Sequence, residues 1–347
     1  MERAGYAVSS YAAFEIDKFA RAISRFNYPD IEHCGDVLDA DFSRYEGYDL
    51  VIGGSPCTTW SISRANREID KNGVGWMLFT RFADAVKVVR PCHFLYENVA
   101  SMHKNIKAYI SEELGCEPIL INSALVSAQQ RKRLYWTNIP NITQPQDMGI
   151  LLKDILDTGM AAREKSYCID ANYYKGGSSK RLDNQSGKRQ MVYMPIALAD
   201  KSNTVLSSIH RENALSMVKR GKIGLLCASE VDFAINTPER IGHFGNGGQG
   251  ERIYSVSGKS VSMKSNGGGG GALGGLYRIN LPDGDYVIRK LSPIEAERCQ
   301  TLSDNYTAMG IDDKGKLIKI SNTQRYKAVG NGWTIRVISH IFNHMGL

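Results

Sequence analysis

The chain has 347 residues, 42% of them hydrophobic and 23% charged, which is the composition of a globular protein and excludes a disordered or fibrous one. A chain of this length predicts one large and one smaller domain. Its apolar runs are far too short to span a membrane, and Glu2 and Arg3 stand where a signal peptide needs apolar residues. We therefore expect a cytoplasmic protein with no membrane partner.

The formal net charge of +7 favours a polyanionic partner. The seven cysteines are scattered along the chain, without a C-x-x-C pair or a Cys/His spacing that would suit a metal. We therefore expect neither a disulfide framework nor a metal site.

Residues 1–140 alternate short β-branched or aromatic runs with helical patterns, which is typical of a doubly wound α/β sheet. The predicted strands are residues 7–15, 32–34, 49–53, 93–96, 119–123 and 133–138, and the predicted helices are residues 17–28, 76–89 and 101–114. In such a sheet, the ligand lies beyond the carboxyl ends of the strands.

The alternation stops near residue 145, and 13 of the 34 glycines then lie between Gly242 and Gly275. Apolar residues such as Tyr254 and Leu276 interleave with these glycines, as they would in short strands joined by tight turns. A flexible linker is the alternative interpretation.

A helix start is predicted at Ser292, which is followed by Pro293 and, three residues after the Ser, by Glu295. A last helix is predicted over residues 334–344, because its apolar residues share a face. The sequence thus predicts a first domain over residues 1–144 and a smaller one over residues 145–286. Residues 287–347 return to the first domain.

Two predicted strands end on residues that can carry chemistry. Cys57 follows the strand at 49–53, and Ser55 and Pro56 fix the backbone just before it. The strand at 93–96 leads into Glu97, about 40 residues later in the chain. Each has a plainer explanation, since a lone Cys is usually a small buried apolar residue and a Glu can cap a loop.

Two later segments add basic and glycine-rich groups. Alternation along the strand that begins near residue 133 puts Arg131 and Arg133 on one face, where a guanidinium can donate to a carbonyl or phosphate oxygen. Two arginines that only face the solvent at the edge of the sheet would give the same alternation. Residues 329–333 form a Val-Gly-Asn-Gly-Trp turn that opens a helix, where backbone amides can meet a ligand.

In this order and spacing, the segments around Cys57, Glu97, Arg131, Arg133 and Gly330 resemble those of the C5-cytosine-specific DNA methyltransferases of bacteria and phages. The resemblance covers residues 1–140 and 287–347. It implies a Rossmann-like, S-adenosylmethionine-dependent methyltransferase sheet, with a smaller, mostly β or irregular target recognition domain over residues 145–286.

The resemblance also implies a mechanism. Cys57, as a thiolate, would add to C6 of a cytosine flipped out of double-stranded DNA. Glu97 would assist at N3, Arg133 would hold O2, and Arg131 would support the thiol or phosphate side. The methyl group would come from S-adenosyl-L-methionine.

Eight residues carry over to the cofactor site. Glu15 matches the acid that binds the ribose hydroxyls, and Asp36 matches an adenine contact. The full set implied by the resemblance is Glu15, Ile16, Asp36, Val37, Pro56, Leu78, Asn331 and Trp333.

The sequence departs from the family at one place. Family members open with a strand and a Phe-x-Gly-x-Gly loop for the methionine end of the cofactor, and neither is found here. We expect a monomer that obtains this piece from a longer reading frame or from a separately encoded polypeptide. The alternatives are a truncated or inactive homologue that binds DNA, and a tRNA cytosine-5 methyltransferase with the same motifs.

Overall fold

The structure is a computed structural model, which describes residues 1–56, 59–61, 66–161, 163–175, 189–195, 224–228, 240–244, 252–254, 276–277 and 284–346. The chain forms two compact units. The first comprises Met1–Ile150, Asp170–Asn172 and Ala296–Leu347, and the second comprises Leu151–Ile169 and Tyr173–Glu295.

The first unit contains eight of the strands that the structure describes, together with most of the helices. Its strands are β1 (Ala12–Phe14), β2 (Glu32–Gly35), β3 (Leu50–Gly53), β4 (His93–Val99), β5 (Ile119–Asn122), β6 (Lys132–Thr137), β13 (Met309–Ile311) and β14 (Leu317–Lys319). Its helices are α1 (Lys18–Asn27), α2 (Val74–Val89), α3 (Lys104–Leu114), α5 (Asn322–Asn331) and α6 (Ile335–Phe342). Helix α4 (Pro293–Cys299) begins in the second unit and ends in the first.

The central sheet has the strand order β3-β4-β6-β5. Strand β3 is parallel to β4, and Gly53 at the end of β3 lies opposite Tyr96. Strand β6 is antiparallel to both β4 and β5, with Arg133 opposite Val99. Strands β1 and β2 form a separate parallel pair. The α/β class predicted from the sequence is confirmed, and the central sheet is mixed.

Helices cover both faces of the central sheet. Because successive side chains of a strand point to opposite faces, Phe94 packs with Phe79 of α2 and Ile106 of α3, whereas Leu95 packs with Ile341 of α6. Strand β4 is buried over residues 94–99, and its apolar run at residues 94–96 contributes to both faces.

The predicted elements of residues 1–140 are all present, with shifted ends. Strand β1 is shorter than predicted, since its ladder with β2 begins at Ala12, opposite Glu32. Helix α3 begins at Lys104 rather than near residue 101, because the His103 side chain accepts a hydrogen bond from the Asn105 amide and caps the helix there.

The second unit contains a six-stranded sheet with the order β11-β10-β9-β8-β12-β7. Its strands are β7 (Met191–Pro195), β8 (Gly224–Ala228), β9 (Arg240–Phe244), β10 (Arg252–Tyr254), β11 (Leu276–Tyr277) and β12 (Gly284–Lys290). Strands β10 and β11 are parallel, and the other neighbours are antiparallel.

The predicted start of helix α4 is confirmed. The Glu295 carboxylate accepts from the Ser292 amide at 2.7 Å, and the Ser292 hydroxyl accepts from the Glu295 amide at 3.1 Å. This reciprocal pair satisfies two amides that have no partner within the helix. In the part of the chain that the structure describes, no helix is long and apolar enough to cross a membrane.

A buried ion pair fixes helix α5 in the first unit. Glu297 is fully buried, and its carboxylate lies 2.8 Å from the guanidinium of Arg325 on α5. It also accepts from the backbone amides of Asn305 and Thr307 at 2.8 and 2.9 Å. These contacts tie the end of α4 to the helix that leads to Asn331.

We expect Arg325→Met to lower the free energy of unfolding by about 3 kcal/mol, because it leaves the buried Glu297 carboxylate without its cation. Lys87→Met is the matched control, since it removes the cation of an exposed pair with Glu113, and it should cost less than about 1 kcal/mol. Chemical denaturation of both variants measures the difference. Equal losses would show that the buried pair does not hold this region together.

Candidate active site

The centre of the site is the carboxylate of Glu97 near the carboxyl end of β4. Strands β3 and β4 pair so that Tyr96 lies opposite Gly53, the last residue of β3, and Glu97 is the next residue of β4. Glu97 is only 8% exposed. A buried carboxylate is costly unless charged or hydrogen-bonding groups surround it, so its neighbours are informative.

Arg133 is the first of these neighbours. In the ladder between β4 and β6, Glu97 lies opposite Tyr135, and Arg133 is two residues from Tyr135 on the same face. The Nε atom of Arg133 lies 2.8 Å from Oε1 of Glu97. The guanidinium is also mostly buried, so the two charges compensate each other at the edge of the sheet.

The second neighbour is Trp333, just before α6. Its indole Nε1 donates to Oε2 of Glu97 at 3.1 Å. The resemblance assigned Trp333 to cofactor binding, and the structure places the polar atom of this side chain on the acid.

Arg131 has a different environment from Arg133. It is 3% exposed, and its Nη2 donates to the backbone oxygens of Gly330 and Gly332 at 3.2 and 2.8 Å. The guanidinium thus holds the Gly-Asn-Gly turn in place. The described contacts give Arg131 a positioning role, and the predicted role beside the thiol or a phosphate remains a prediction.

A buried amide, Gln300, holds the same turn from the other side. Its Nε2 donates to the oxygens of Val329 and Gly332 at 2.8 and 3.1 Å. Its Oε1 accepts from Gln129 Nε2 at 2.8 Å and from Thr334 Oγ1 at 2.7 Å. Gln300 and Thr334 were not predicted from the sequence. The sequence offered one signal for Gln300, a Gln placed directly after the helix that begins at Pro293.

Close packing against backbone requires glycine at two places in the site. A Cβ on Gly54 would lie 2.9 Å from the Glu97 carbonyl oxygen, and one on Gly330 would lie 2.2 Å from the carbonyl carbon of Asp170. Both contacts are shorter than real Cβ atoms allow. The loop after β3 and the last turn of α5 therefore depend on these glycines.

The loop that leads to Cys57 is tied to β4. Asn98 Nδ2 donates to the Ser55 carbonyl oxygen at 3.1 Å, and the hydroxyls of Ser55 and Tyr96 share a hydrogen bond. Burial raises the pKa of Tyr96 to about 12, so this hydroxyl keeps its proton at neutral pH. Cys57 itself lies outside the described residues.

The residues predicted for the adenosine end of the cofactor follow β1 and β2. Glu15 and Asp36 each accept from the backbone amide two residues further on, at 2.7 and 3.0 Å. Ile16 is 69% exposed, and Val37 is half-buried. Since β1 and β2 are parallel, these four residues lie at the same edge of that sheet.

The remaining predicted cofactor residues come from three other elements. Leu78 is half-buried on α2, while Pro56 is exposed after β3. Asn331 is exposed at the end of α5. Among the described residues, no group of three or more His, Cys, Asp or Glu side chains is arranged to hold a metal ion.

Comparisons with known proteins find relatives of this chain over almost its whole length. The family model for C-5 cytosine-specific DNA methylase matches residues 1–346. The type II methyltransferase M.HhaI of Haemophilus parahaemolyticus is 25% identical over 341 residues, which cover 96% of this chain and 86% of that protein. The type II methyltransferase M1.ScrFI of Lactococcus lactis subsp. cremoris is 24% identical over 360 residues, with coverages of 97% and 72%.

The fold is also similar to that of a solved structure. A mutant of Spodoptera frugiperda DNMT2 matches 99% of this chain and 94% of its own, with a TM-score of 0.53 and 14% identity. This identity shows a shared fold alone. The family model, in contrast, spans almost the whole chain and includes Glu97, Arg133 and the Gly-Asn-Gly turn. The chain therefore belongs to the C-5 cytosine-specific DNA methylase family, whose enzymes methylate cytosine with S-adenosylmethionine as the methyl donor.

Proposed function

We propose that this chain methylates C5 of a cytosine flipped out of double-stranded DNA, through a covalent adduct with Cys57. The observation that carries the proposal is the buried Glu97 carboxylate, which lies 2.8 Å from Arg133 Nε, beside the loop that leads to position 57. An acid and a guanidinium held together in this way offer a proton donor and a hydrogen-bond donor to one edge of a pyrimidine.

In the proposed reaction, the sulfur of Cys57 bonds to C6, and the electrons of the C5–C6 double bond move towards C5. Glu97 gives a proton to N3, and Arg133 donates to O2, so the negative charge that develops on the ring is stabilised. When bound, S-adenosyl-L-methionine would supply an electrophilic methyl group to C5 and would leave as S-adenosyl-L-homocysteine. A base then removes the C5 proton, the C5–C6 double bond re-forms, and the C–S bond breaks to release the thiolate. N3 returns its proton to Glu97, which restores the acid for the next turnover.

The exposed groups near β1 and β2 suit the adenosine part of the cofactor. Glu15 and Asp36 are acids that can accept from hydroxyl or amino groups. Ile16 is 69% exposed and Leu38 is 40% exposed, so both present apolar surface to the solvent. An adenine ring would bury this apolar surface.

We assign target recognition to residues 145–286, and catalysis to residues 1–144 and 287–347. The support for this division is that most of residues 151–295 form a unit with its own sheet. The net charge of +7 is consistent with DNA as the partner. We propose that the enzyme acts as a monomer in the cytoplasm, where this substrate is found.

We further propose that an additional N-terminal piece supplies a parallel strand between β1 and β3. Among the described residues, β1 pairs with β2 alone and β3 pairs with β4 alone, so each has an open edge. Phe14 of β1 and Val51 of β3 both pack against the cluster that contains Phe42 and Val89. The two open edges thus border one apolar layer, and an open edge is a template for another strand.

Covalent capture tests the central step. A duplex that contains 5-fluorocytosine should form a stable adduct with the wild-type chain in the presence of the cofactor, because fluorine cannot leave C5 as a proton does. Cys57→Ala should abolish the adduct, since the attacking thiolate is gone. Glu97→Gln should reduce methyl transfer at least about 100-fold, the usual scale for a lost general acid. Gel electrophoresis and transfer of a labelled methyl group measure the two effects.

Retention of DNA by the wild-type chain without any label transfer would contradict the proposed activity and would support an inactive DNA-binding homologue. An adduct that persists in Cys57→Ala would contradict the assigned nucleophile.

The substrate is tested by competition. With equal concentrations of duplex DNA and unmodified tRNA, we expect the labelled methyl group in DNA, because the family is described as a DNA methylase. Liquid chromatography of the separated nucleic acids measures 5-methylcytosine in each. Methylation of tRNA alone would overturn the assignment to DNA.

The additional strand is tested by hydrogen exchange. If the in-frame codons upstream encode a Phe-x-Gly-x-Gly segment, the extended chain should show slower amide exchange in β1 and β3, since their open edges gain hydrogen bonds. Strand β5, at the opposite edge of the central sheet, is the control and should exchange unchanged. Equal exchange in β1 and β3 with and without the extension would refute the added strand.

A further inference from the structure

The contact between Trp333 and Glu97 joins two parts of the site that are far apart in sequence. The indole Nε1 lies 3.1 Å from Oε2 of the carboxylate. The ring is half-buried and packs on the apolar cluster between α6 and the central sheet, which includes Leu95 and Val337. A tryptophan in this position supplies a single, directed donor from a ring with little freedom to move.

We propose that Trp333 is a positioning residue for the reaction described above, so this inference rests on the proposed function. The indole N–H fixes Oε2 of Glu97 and thereby turns the other oxygen, Oε1, towards the base. Oε1 is buried and accepts no hydrogen bond, although Arg133 Nε lies 2.8 Å away in an ion pair with it. Oε1 therefore keeps the capacity to bind N3 of cytosine.

The residues on both sides of Trp333 are held by hydrogen bonds, which makes the indole a fixed donor. On one side, the oxygen of Gly332 accepts from both Arg131 and Gln300, at 2.8 and 3.1 Å. On the other, the hydroxyl of Thr334 bonds to Gln300 at 2.7 Å and to Ser123 at 2.9 Å. Displacement of Trp333 would break several of these buried hydrogen bonds. Because the indole is bonded to Glu97, the free-energy cost of displacing the Glu97 carboxylate includes the cost of breaking them.

The hydrogen bond between Trp333 and Glu97 affects the rate of methyl transfer through the position of the Glu97 carboxylate. A misplacement of about 1 Å at a reacting group can cost about 100-fold in rate. Without the indole N–H, Glu97 keeps the ion pair with Arg133 but loses the donor that sets the orientation of its carboxylate plane. We therefore expect an effect on the rate of methyl transfer rather than on the binding of either substrate.

Trp333→Phe is the direct test, because it keeps an aromatic ring and removes the N–H. We expect kcat to fall at least about tenfold, with the KM values for DNA and for S-adenosyl-L-methionine within about threefold of wild type. Trp136→Phe is the matched control, since it removes the N–H of another buried tryptophan, which donates to Ser111 Oγ at 3.0 Å. Its kcat, per folded enzyme, should be unchanged. A Trp333→Phe variant with wild-type kcat would overturn the proposal.

A second measurement detects the hydrogen bond between Trp333 and Glu97 independently of methyl transfer. In the nitrogen-15 labelled full chain, the indole N–H resonance that disappears in Trp333→Phe should move in Glu97→Gln, while that of Trp136 stays in place. No movement would show that the two groups are not bonded and would also overturn the proposal. If the resonance moves but the wild-type chain transfers no methyl group, the contact exists and the proposed function has failed. A positioning role would then have no reaction to serve.

Discussion

The structure of the site depends on one constraint, that a carboxylate buried on a central strand must be compensated by neighbouring charged or hydrogen-bonding groups. Glu97 meets it with a guanidinium from the neighbouring strand and an indole N–H from the turn before α6. The antiparallel register of β4 and β6 brings Arg133 within reach. Because an unpaired buried charge would cost several kcal/mol, the guanidinium and the indole N–H both have to remain in place for the sheet to hold this side chain.

A second set of residues stabilises those donors without touching the acid. Arg131 and Gln300 bind the backbone oxygens of the Gly-Asn-Gly turn, and Gln129 orients Gln300. Arg131 and Arg133, which are two residues apart in the chain, thus have different partners. Arg133 faces the acid, and Arg131 holds the turn that carries Trp333. The absence of a side chain at Gly330 allows this turn to lie against Asp170.

Much of the fold of residues 1–140 could be predicted from the sequence, because periodicity and turn residues are local signals. The pairing of Glu97 with Arg133 was also within reach, since both follow from the ends of predicted strands and from a resemblance that names them. The contacts of Trp333 and Gln300 were not, because they join residues 236 and 171 positions apart in the chain. Alternation placed Arg131 and Arg133 on one face, but it could not distinguish a partner on the sheet from a partner on a distant turn.

We propose that the acid at 97, the guanidinium at 133 and the sulfur at 57 surround one extruded base. A crystal structure of the chain trapped on a 5-fluorocytosine duplex would test this arrangement. We expect a bond from Cys57 Sγ to C6, with a Glu97 oxygen and the Arg133 guanidinium within hydrogen-bond distance of N3 and O2. A trapped complex in which the base lies away from Glu97, or in which the sulfur is bonded elsewhere, would contradict it.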